Sequence, residues 1–223
     1  MIKVQSTADQ GKVGVKALIY GVAGIGKTVL CSTAPNPIII SAERGLMSIR
    51  DKDIPFIEVS SIADISAAFR FITESEERKK YETICLDSIS DISEVLLSEL
   101  KSQTKDARQA FGDMADQTMK IIRTFRDIIG MNVCVTAKVK RLTDEVGIVS
   151  YVPSCPGKQV PDNLPYMFDL VMAMQIGRTD DGTSYRYLQT QPTIQWEAKD
   201  RSGILNEIEE PNLTKLFAKI KGE

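Results

Sequence analysis

A glycine-rich stretch over residues 21–28 constrains the fold of this chain more than any other feature. It reads Gly21-Val22-Ala23-Gly24-Ile25-Gly26-Lys27-Thr28. The apolar run before it, residues 15–20, predicts a buried strand, and the glycines predict a turn that opens a helix through about Thr33. The spacing fits a phosphate loop in full, and strand, loop and helix follow in the order that such a loop requires.

The chemistry of a phosphate loop gives each part of the stretch a role. Backbone N–H groups wrap a phosphate, and the start of the helix adds positive potential. Lys27 is expected to reach the β- and γ-phosphate oxygens, and the Thr28 hydroxyl is expected to ligate Mg²⁺. Val29, the next residue, completes the predicted nucleotide site. The sequence therefore predicts ATP and Mg²⁺ as cofactors.

A second metal-site residue ends a later apolar strand, residues 81–87. Open α/β sheets bind ligands at the carboxyl ends of their strands, so Asp87 is predicted to act at the Mg²⁺ together with Thr28. The alternative is an aspartate that only caps the helix starting at Ser88, and both roles can hold together.

Composition and pattern predict one α/β domain over residues 1–223. The chain is 43% hydrophobic and 26% charged, as globular domains are. Alternating strands and helices predict a mostly parallel central sheet flanked by helices, with a C-terminal antiparallel strand pair. Residues 138–165, rich in proline, glycine and charge, predict a mobile loop region with a short hairpin at 146–152. Helices are expected at 62–80, 89–101, about 111–129 and about 213–221.

Several classes of site are excluded by composition. The chain has no histidine, which removes histidine bases, Ser-His triads and histidine-ligated metals. Its four cysteines lie far apart in sequence without a C-x-x-C pair, so neither a zinc site nor a disulfide framework is indicated. No apolar run could span a bilayer and the N-terminus lacks a signal peptide, so we expect a cytoplasmic protein without a membrane partner.

Four further segments, taken with the phosphate loop, resemble the RecA-like recombinases and their core-only bacteriophage relatives, the ATP-binding annealing proteins. Residues 38–43 resemble the strand that ends in a water-orienting glutamate, and residues 86–88 resemble the Asp-Ser form of the metal strand. Residues 136–138 stand where a polar sensor follows the next strand. Residues 199–203 are similar to the basic motif that reaches the γ-phosphate of a neighbouring subunit.

The resemblance implies catalytic roles for Glu43, Lys27, Lys199 and Arg201. A carboxylate at a strand end suits Glu43 to hold a water in line for attack, and the alternative is a surface glutamate that begins a helix. Lys199 and Arg201 would face one side of an extended segment and clamp a triphosphate of the adjacent subunit. The alternative for this pair is a solvated loop.

The resemblance also implies a sensor and a DNA-binding surface. Thr136 and Lys138 occupy the sensor position, where the family usually has a glutamine. Residues 138–165 correspond to the loops that hold single-stranded DNA in RecA-like proteins. Four side chains there are candidates to meet phosphates or stack on a base, although acidic residues in the same segment weaken the electrostatic argument. They are Lys140, Arg141, Tyr151 and Lys158.

Three functions follow as hypotheses. The first is an oligomeric, phage-encoded ATPase with nucleotide at its subunit interfaces, which binds single-stranded DNA and promotes annealing or recombination, with a single-strand binding protein as a further candidate partner. The second is a P-loop kinase acting on a small molecule. The third is a nucleotide-dependent loader or scaffold with slow hydrolysis.

Overall fold

A mixed sheet forms the centre of the molecule, which a computed structural model describes over residues 14–43 and 45–223. Its strands are β1 (Lys16–Tyr20), β2 (Pro37–Ser41), β3 (Phe56–Glu58), β4 (Thr83–Asp87), β5 (Asn132–Thr143), β6 (Val149–Ser154), β7 (Leu170–Arg178), β8 (Ser184–Gln189), β9 (Lys199–Asp200) and β10 (Ile208–Glu209). The helices are α1 (Lys27–Cys31), α2 (Ile62–Glu74), α3 (Ile89–Gln103), α4 (Ala107–Arg126), α5 (Gln159–Asn163) and α6 (Leu213–Lys221). Three 3₁₀ segments lie at Leu46–Lys52, Glu76–Lys80 and Leu164–Met167.

The strand order across the sheet is β10-β8-β7-β1-β5-β4-β2-β3, with β6 paired to β5 and β9 to β7. The strands from β7 to β3 in this order run parallel, whereas β8 and β10 are antiparallel additions. The predicted fold class is confirmed, including the C-terminal antiparallel pair. The parallel strands all end at one edge of the sheet, which we call the carboxyl edge.

Helices cover both faces of the sheet, as the continuous burial of β1 and β4 requires. On one face Leu18 packs in a cluster with buried residues of α2, α3 and α4. On the other face Ile19 packs in a cluster with Leu30 of α1 and Phe217 of α6. Within the described residues no helix is long and apolar enough to cross a membrane.

Two helices differ from their predicted bounds because of capping. The helix expected at 62–80 ends at Glu74, since Ser75 is extended and its side chain accepts a hydrogen bond from the Glu77 N–H at 3.1 Å. The helix expected from about 111 already begins at Ala107, where Asp106 accepts from the Arg108 N–H at 2.9 Å. The last helix, α6, lies at the predicted residues 213–221.

The segment predicted as a loop region, residues 138–165, contains two strands and a short helix. β5 continues past the sheet and pairs with β6 from Lys138 opposite Ser154 to Thr143 opposite Val149. We call residues 138–154 the arm. The loop prediction was therefore wrong in secondary structure, and the predicted hairpin at 146–152 missed the first strand. The cause is that these strands pair mainly with each other beyond the core, so they lack a strong apolar alternation.

Candidate functional site

The phosphate loop lies at the carboxyl edge between β1 and α1. Gly26 caps α1 with φ 107°, a left-handed conformation that disfavours side chains, and its carbonyl accepts from the Leu30 N–H at 2.8 Å. The Lys27 ammonium donates to the Gly21 and Val22 carbonyls at 3.1 and 3.2 Å. Burial lowers the pKa of Lys27, and the charges of Asp87 and Glu43 oppose this shift.

A cleft of about 1000 Å³ opens over this loop. Its lining includes every predicted residue of the nucleotide site except Ile25, which is buried beneath the loop. Glu43, Asp87 and Lys138 also line the cleft, so four strands deliver candidate residues to it. The far wall contains residues of β8, which the sequence patterns did not assign to a site.

The buried Asp87 carboxylate connects the loop to the neighbouring strands. The Thr28 hydroxyl donates to Asp87 Oδ2 at 2.6 Å, and the Thr136 hydroxyl donates to Asp87 Oδ1 at 2.5 Å. Asp87 and Thr136 are 2% and 0% exposed, so the carboxylate is held by two fixed donors. The capping role is carried by the next residue, because the Ser88 side chain accepts from the Asp91 N–H.

The donor chemistry at this point fits Mg²⁺. The ion prefers hard oxygen ligands and is usually held by few protein groups together with substrate phosphates. The Thr28 hydroxyl and the Asp87 carboxylate are such oxygens, in direct contact with each other at the end of the phosphate loop. Thr28 would ligate the ion, and Asp87 would orient its surroundings.

Glu43 follows β2 and shares a hydrogen bond with the Asp91 carboxyl. That hydrogen bond, with burial and the negative charges of Asp91 and Asp87, raises the pKa of Glu43 to about 7. Burial of Asp91 acts to raise its pKa, but hydrogen bonds from Glu43, Lys138 and Ser88 hold it below the usual value. Glu43 is therefore poised to exchange a proton near neutral pH.

Lys138 joins the cleft to α3. Its ammonium forms ion pairs with Asp91 at 2.6 Å and with Glu94 at 2.9 Å. Its backbone N–H donates to the Ser90 hydroxyl at 2.9 Å, and that hydroxyl donates to the Ser154 carbonyl of β6. The first turn of α3, directly after the Asp87 strand, thus binds both strands of the arm.

Lys199 and Arg201, the predicted trans pair that would act on a neighbouring subunit's nucleotide, lie at the edge of the sheet opposite the carboxyl edge. Lys199 pairs with Val171 near the start of β7, and its ammonium donates to the Pro165 carbonyl at 2.6 Å. Burial lowers the pKa of Lys199. Arg201 forms an exposed ion pair with Asp169 at 3.3 Å. Neither residue lines the cleft over the phosphate loop, so a role at a neighbouring subunit's phosphates stays a prediction.

The predicted DNA-binding residues lie on or next to the arm. Lys140 and Arg141 are exposed on β5, and Lys158 is exposed just before α5. Tyr151 instead stacks on Trp196, with ring centroids 4.3 Å apart and planes inclined by 17°. One face of the Tyr151 ring is therefore already covered by an aromatic ring.

Three of the cysteines meet beneath the site despite their distance in sequence. The sulfur atoms of Cys31, Cys85 and Cys134 all lie within 4.8 Å of one another. All three residues are 0% exposed and belong to the apolar cluster of the α1 face. In residues 14–43 and 45–223 no fourth potential ligand joins the group at that spacing, and we interpret it as core packing.

Comparison with known proteins gives one family assignment. Sequence comparison with curated proteins finds no significant match. The structure resembles that of a KaiC-like protein from the hyperthermophilic archaeon Pyrococcus horikoshii OT3 at 13% identity and a TM-score of 0.45, covering 79% of this chain and 77% of that chain. A family model described as an AAA domain matches residues 13–202, most of the chain. The chain therefore belongs to this family of AAA domains, a P-loop ATPase family.

Proposed function

We propose that this chain hydrolyses ATP with Mg²⁺ as a self-associating ATPase that binds single-stranded DNA and promotes its annealing or recombination. One observation supports coupling between the two ligands. The Ser90 hydroxyl contacts both strands of the arm, and it lies on the helix that begins directly after Asp87. A shift at the phosphates can therefore reach the proposed DNA surface through a few hydrogen bonds.

The hydrolytic step uses residues that line the cleft. Water attacks the γ-phosphorus, the bond to the bridging β–γ oxygen breaks, and the water proton passes to Glu43. Lys27 neutralises charge on the phosphate oxygens, whereas Thr28 would ligate Mg²⁺ and Asp87 would orient its surroundings. Mg²⁺, when bound, neutralises further phosphate charge. The products are ADP and inorganic phosphate.

The arm carries the proposed DNA contact. Lys140 and Arg141 are neighbours on an exposed strand that projects from the carboxyl edge, where their charges can meet backbone phosphates. The stacked pair of Tyr151 and Trp196 lies at the middle of β6, where Tyr151 is opposite Arg141, and offers a platform on which a base could stack. The family resemblance to phage annealing proteins supports this choice of ligand.

Binding of a labelled oligonucleotide tests the DNA proposal. We expect Lys140→Glu with Arg141→Glu to weaken binding of single-stranded DNA and to lower the salt slope by about 0.7 for each DNA phosphate that the protein no longer neutralises. A matched control is Lys79→Glu with Lys80→Glu, which makes the same charge change on exposed residues before β4, at the opposite edge. Equal effects of both double variants, or no binding by the wild type, would remove DNA from the proposal.

The two alternative functions, a small-molecule kinase and a loader or scaffold, can be tested with the same protein. Transfer of the γ-phosphoryl group to a nucleoside or nucleotide would identify a small-molecule kinase instead. Nucleotide binding with unchanged slow turnover in Glu43→Gln would identify a loader or scaffold in which Glu43 does not activate water.

A further inference from the structure

An arginine from the antiparallel extension of the sheet lies over the phosphate loop. Arg186 is an exposed residue of β8 and lines the cleft together with Lys27. A Cβ atom added at Gly26 would lie 3.5 Å from Arg186 Nε and 3.4 Å from the Met174 methyl group. The guanidinium is therefore next to the turn whose N–H groups face a bound phosphate.

Strand alternation fixes this side chain on the α1 face of the sheet. Leu188, two residues further along β8, is fully buried in the cluster that contains Leu30 of α1. Arg186 shares that face and lies two residues nearer the carboxyl edge than Leu188. Its direct partner across the strand pair is Ile176 of β7. The hairpin thus holds the arginine at the mouth of the cleft without relying on a flexible loop.

The Arg186 side chain is free to receive an anion. Among residues 14–43 and 45–223, no hydrogen bond or ion pair joins its guanidinium to another residue. By contrast, Lys138 in the same cleft is bound to two carboxylates. An unpaired guanidinium beside a phosphate loop matches the planar oxygen pattern of a phosphate, which it can bind with two parallel hydrogen bonds.

We propose that Arg186 binds the β- and γ-phosphates of the nucleotide held by Lys27 of the same subunit and stabilises the charge that develops during transfer. This assignment rests on the proposed ATPase function. It places an arginine in cis, in addition to the predicted trans pair at the opposite edge. Each subunit would then bring its own guanidinium to its own phosphate loop.

Nucleotide affinity tests the contact without requiring turnover. We expect Arg186→Ala to weaken binding of ATP and ADP by about tenfold or more, the loss typical of a hydrogen bond to a charged group, and to leave AMP binding little changed. Arg186→Lys should retain part of the affinity, because lysine keeps the positive charge but lacks the planar guanidinium that makes two parallel hydrogen bonds. The matched control is Arg178→Ala, since Arg178 is exposed on the same face of the same hairpin but does not line the cleft.

Mixing variants distinguishes action in cis from action in trans. Arg186→Ala should reduce ATP turnover by at least about a hundredfold, as loss of a phosphate-clamping arginine does. A mixture of Arg186→Ala and Lys27→Ala should stay inactive, because no subunit then has both residues. Restored turnover in the mixture would show that a neighbour supplies the arginine and would overturn the cis assignment.

The affinity comparison can fail separately from the proposed function. If the wild type binds ATP but does not hydrolyse it, the ATPase proposal fails while the affinity comparison still tests Arg186. If Arg186→Ala matches Arg178→Ala in ATP affinity, with unchanged melting temperature in both, the phosphate contact is refuted.

Discussion

The raised pKa of Glu43 predicts how ATP turnover depends on pH. A general base must be deprotonated to accept a proton from water, and kcat/KM reports the pKa of that base in the free enzyme. The hydrogen bond with Asp91 and nearby negative charge favour the protonated form and raise the pKa of Glu43 to about 7. The rate should therefore rise with pH and not fall.

The size of the rise follows from the titration. A group with a pKa of about 7 is roughly 9% deprotonated at pH 6 and roughly 91% at pH 8, so kcat/KM should increase by about tenfold between them. Asp91→Asn removes the negative partner that raises the pKa of Glu43. The acid limb of the profile, where kcat/KM rises with pH, should then move to lower pH. Glu43→Gln should remove the limb along with most of the activity.

Steady-state hydrolysis measured in a constant-ionic-strength buffer series gives the profile. Rates over a range of ATP concentrations at each pH, with magnesium in excess, give kcat/KM separately from kcat. A wild-type profile that is flat from pH 6 to 8, or a limb that persists in Glu43→Gln, would refute Glu43 as the base.

Three further predictions concern the surroundings of the site. Thr136→Val leaves a buried oxygen of Asp87 without its donor, so it should lower the unfolding free energy by about 1–3 kcal/mol and also reduce ATP turnover. Thr118 is a buried threonine bonded to Ser93, and Thr118→Val should lower only stability in the same urea and ATPase measurements. Ser90→Ala should reduce the DNA-stimulated part of ATP turnover by about fivefold relative to the basal rate, the equivalent of one hydrogen bond of ~1 kcal/mol. Ser93→Ala should not reproduce this uncoupling, because the Ser93 hydroxyl donates to the Ile89 carbonyl of α3 and accepts from Thr118 of α4. Emission of Trp196, the only tryptophan, should change when single-stranded DNA is added if a base competes for the Tyr151 ring, and an identical spectrum in saturating DNA would contradict a role for Tyr151.

The sequence was most informative where a function depends on adjacent residues. The phosphate loop is one continuous motif, and Asp87 ends an uninterrupted apolar strand, so both were identifiable without tertiary information. The parallel core was likewise predictable, because its strands are buried on both faces and appear as apolar runs.

Residues brought to the site by strand pairing were not identifiable in this way. Arg186 reaches the phosphate loop because β8 pairs with β7 in one particular register. From the sequence, only the alternation of Ser184, Arg186 and Leu188 indicates that these three side chains share one face of the sheet. Asp91 was assigned no role, although its position one turn into α3 brings it to both Glu43 and Lys138. The first strand of the arm was missed because it buries little apolar surface.

Steady-state ATP hydrolysis by the wild type and by Lys27→Ala, with and without single-stranded DNA over a range of protein concentrations, tests the central claim most directly. We predict magnesium-dependent turnover that DNA stimulates, that rises faster than linearly with protein and that Lys27→Ala abolishes. Equal turnover in the two proteins would contradict catalysis at the phosphate loop, and linear turnover indifferent to DNA would contradict the proposed DNA-linked assembly.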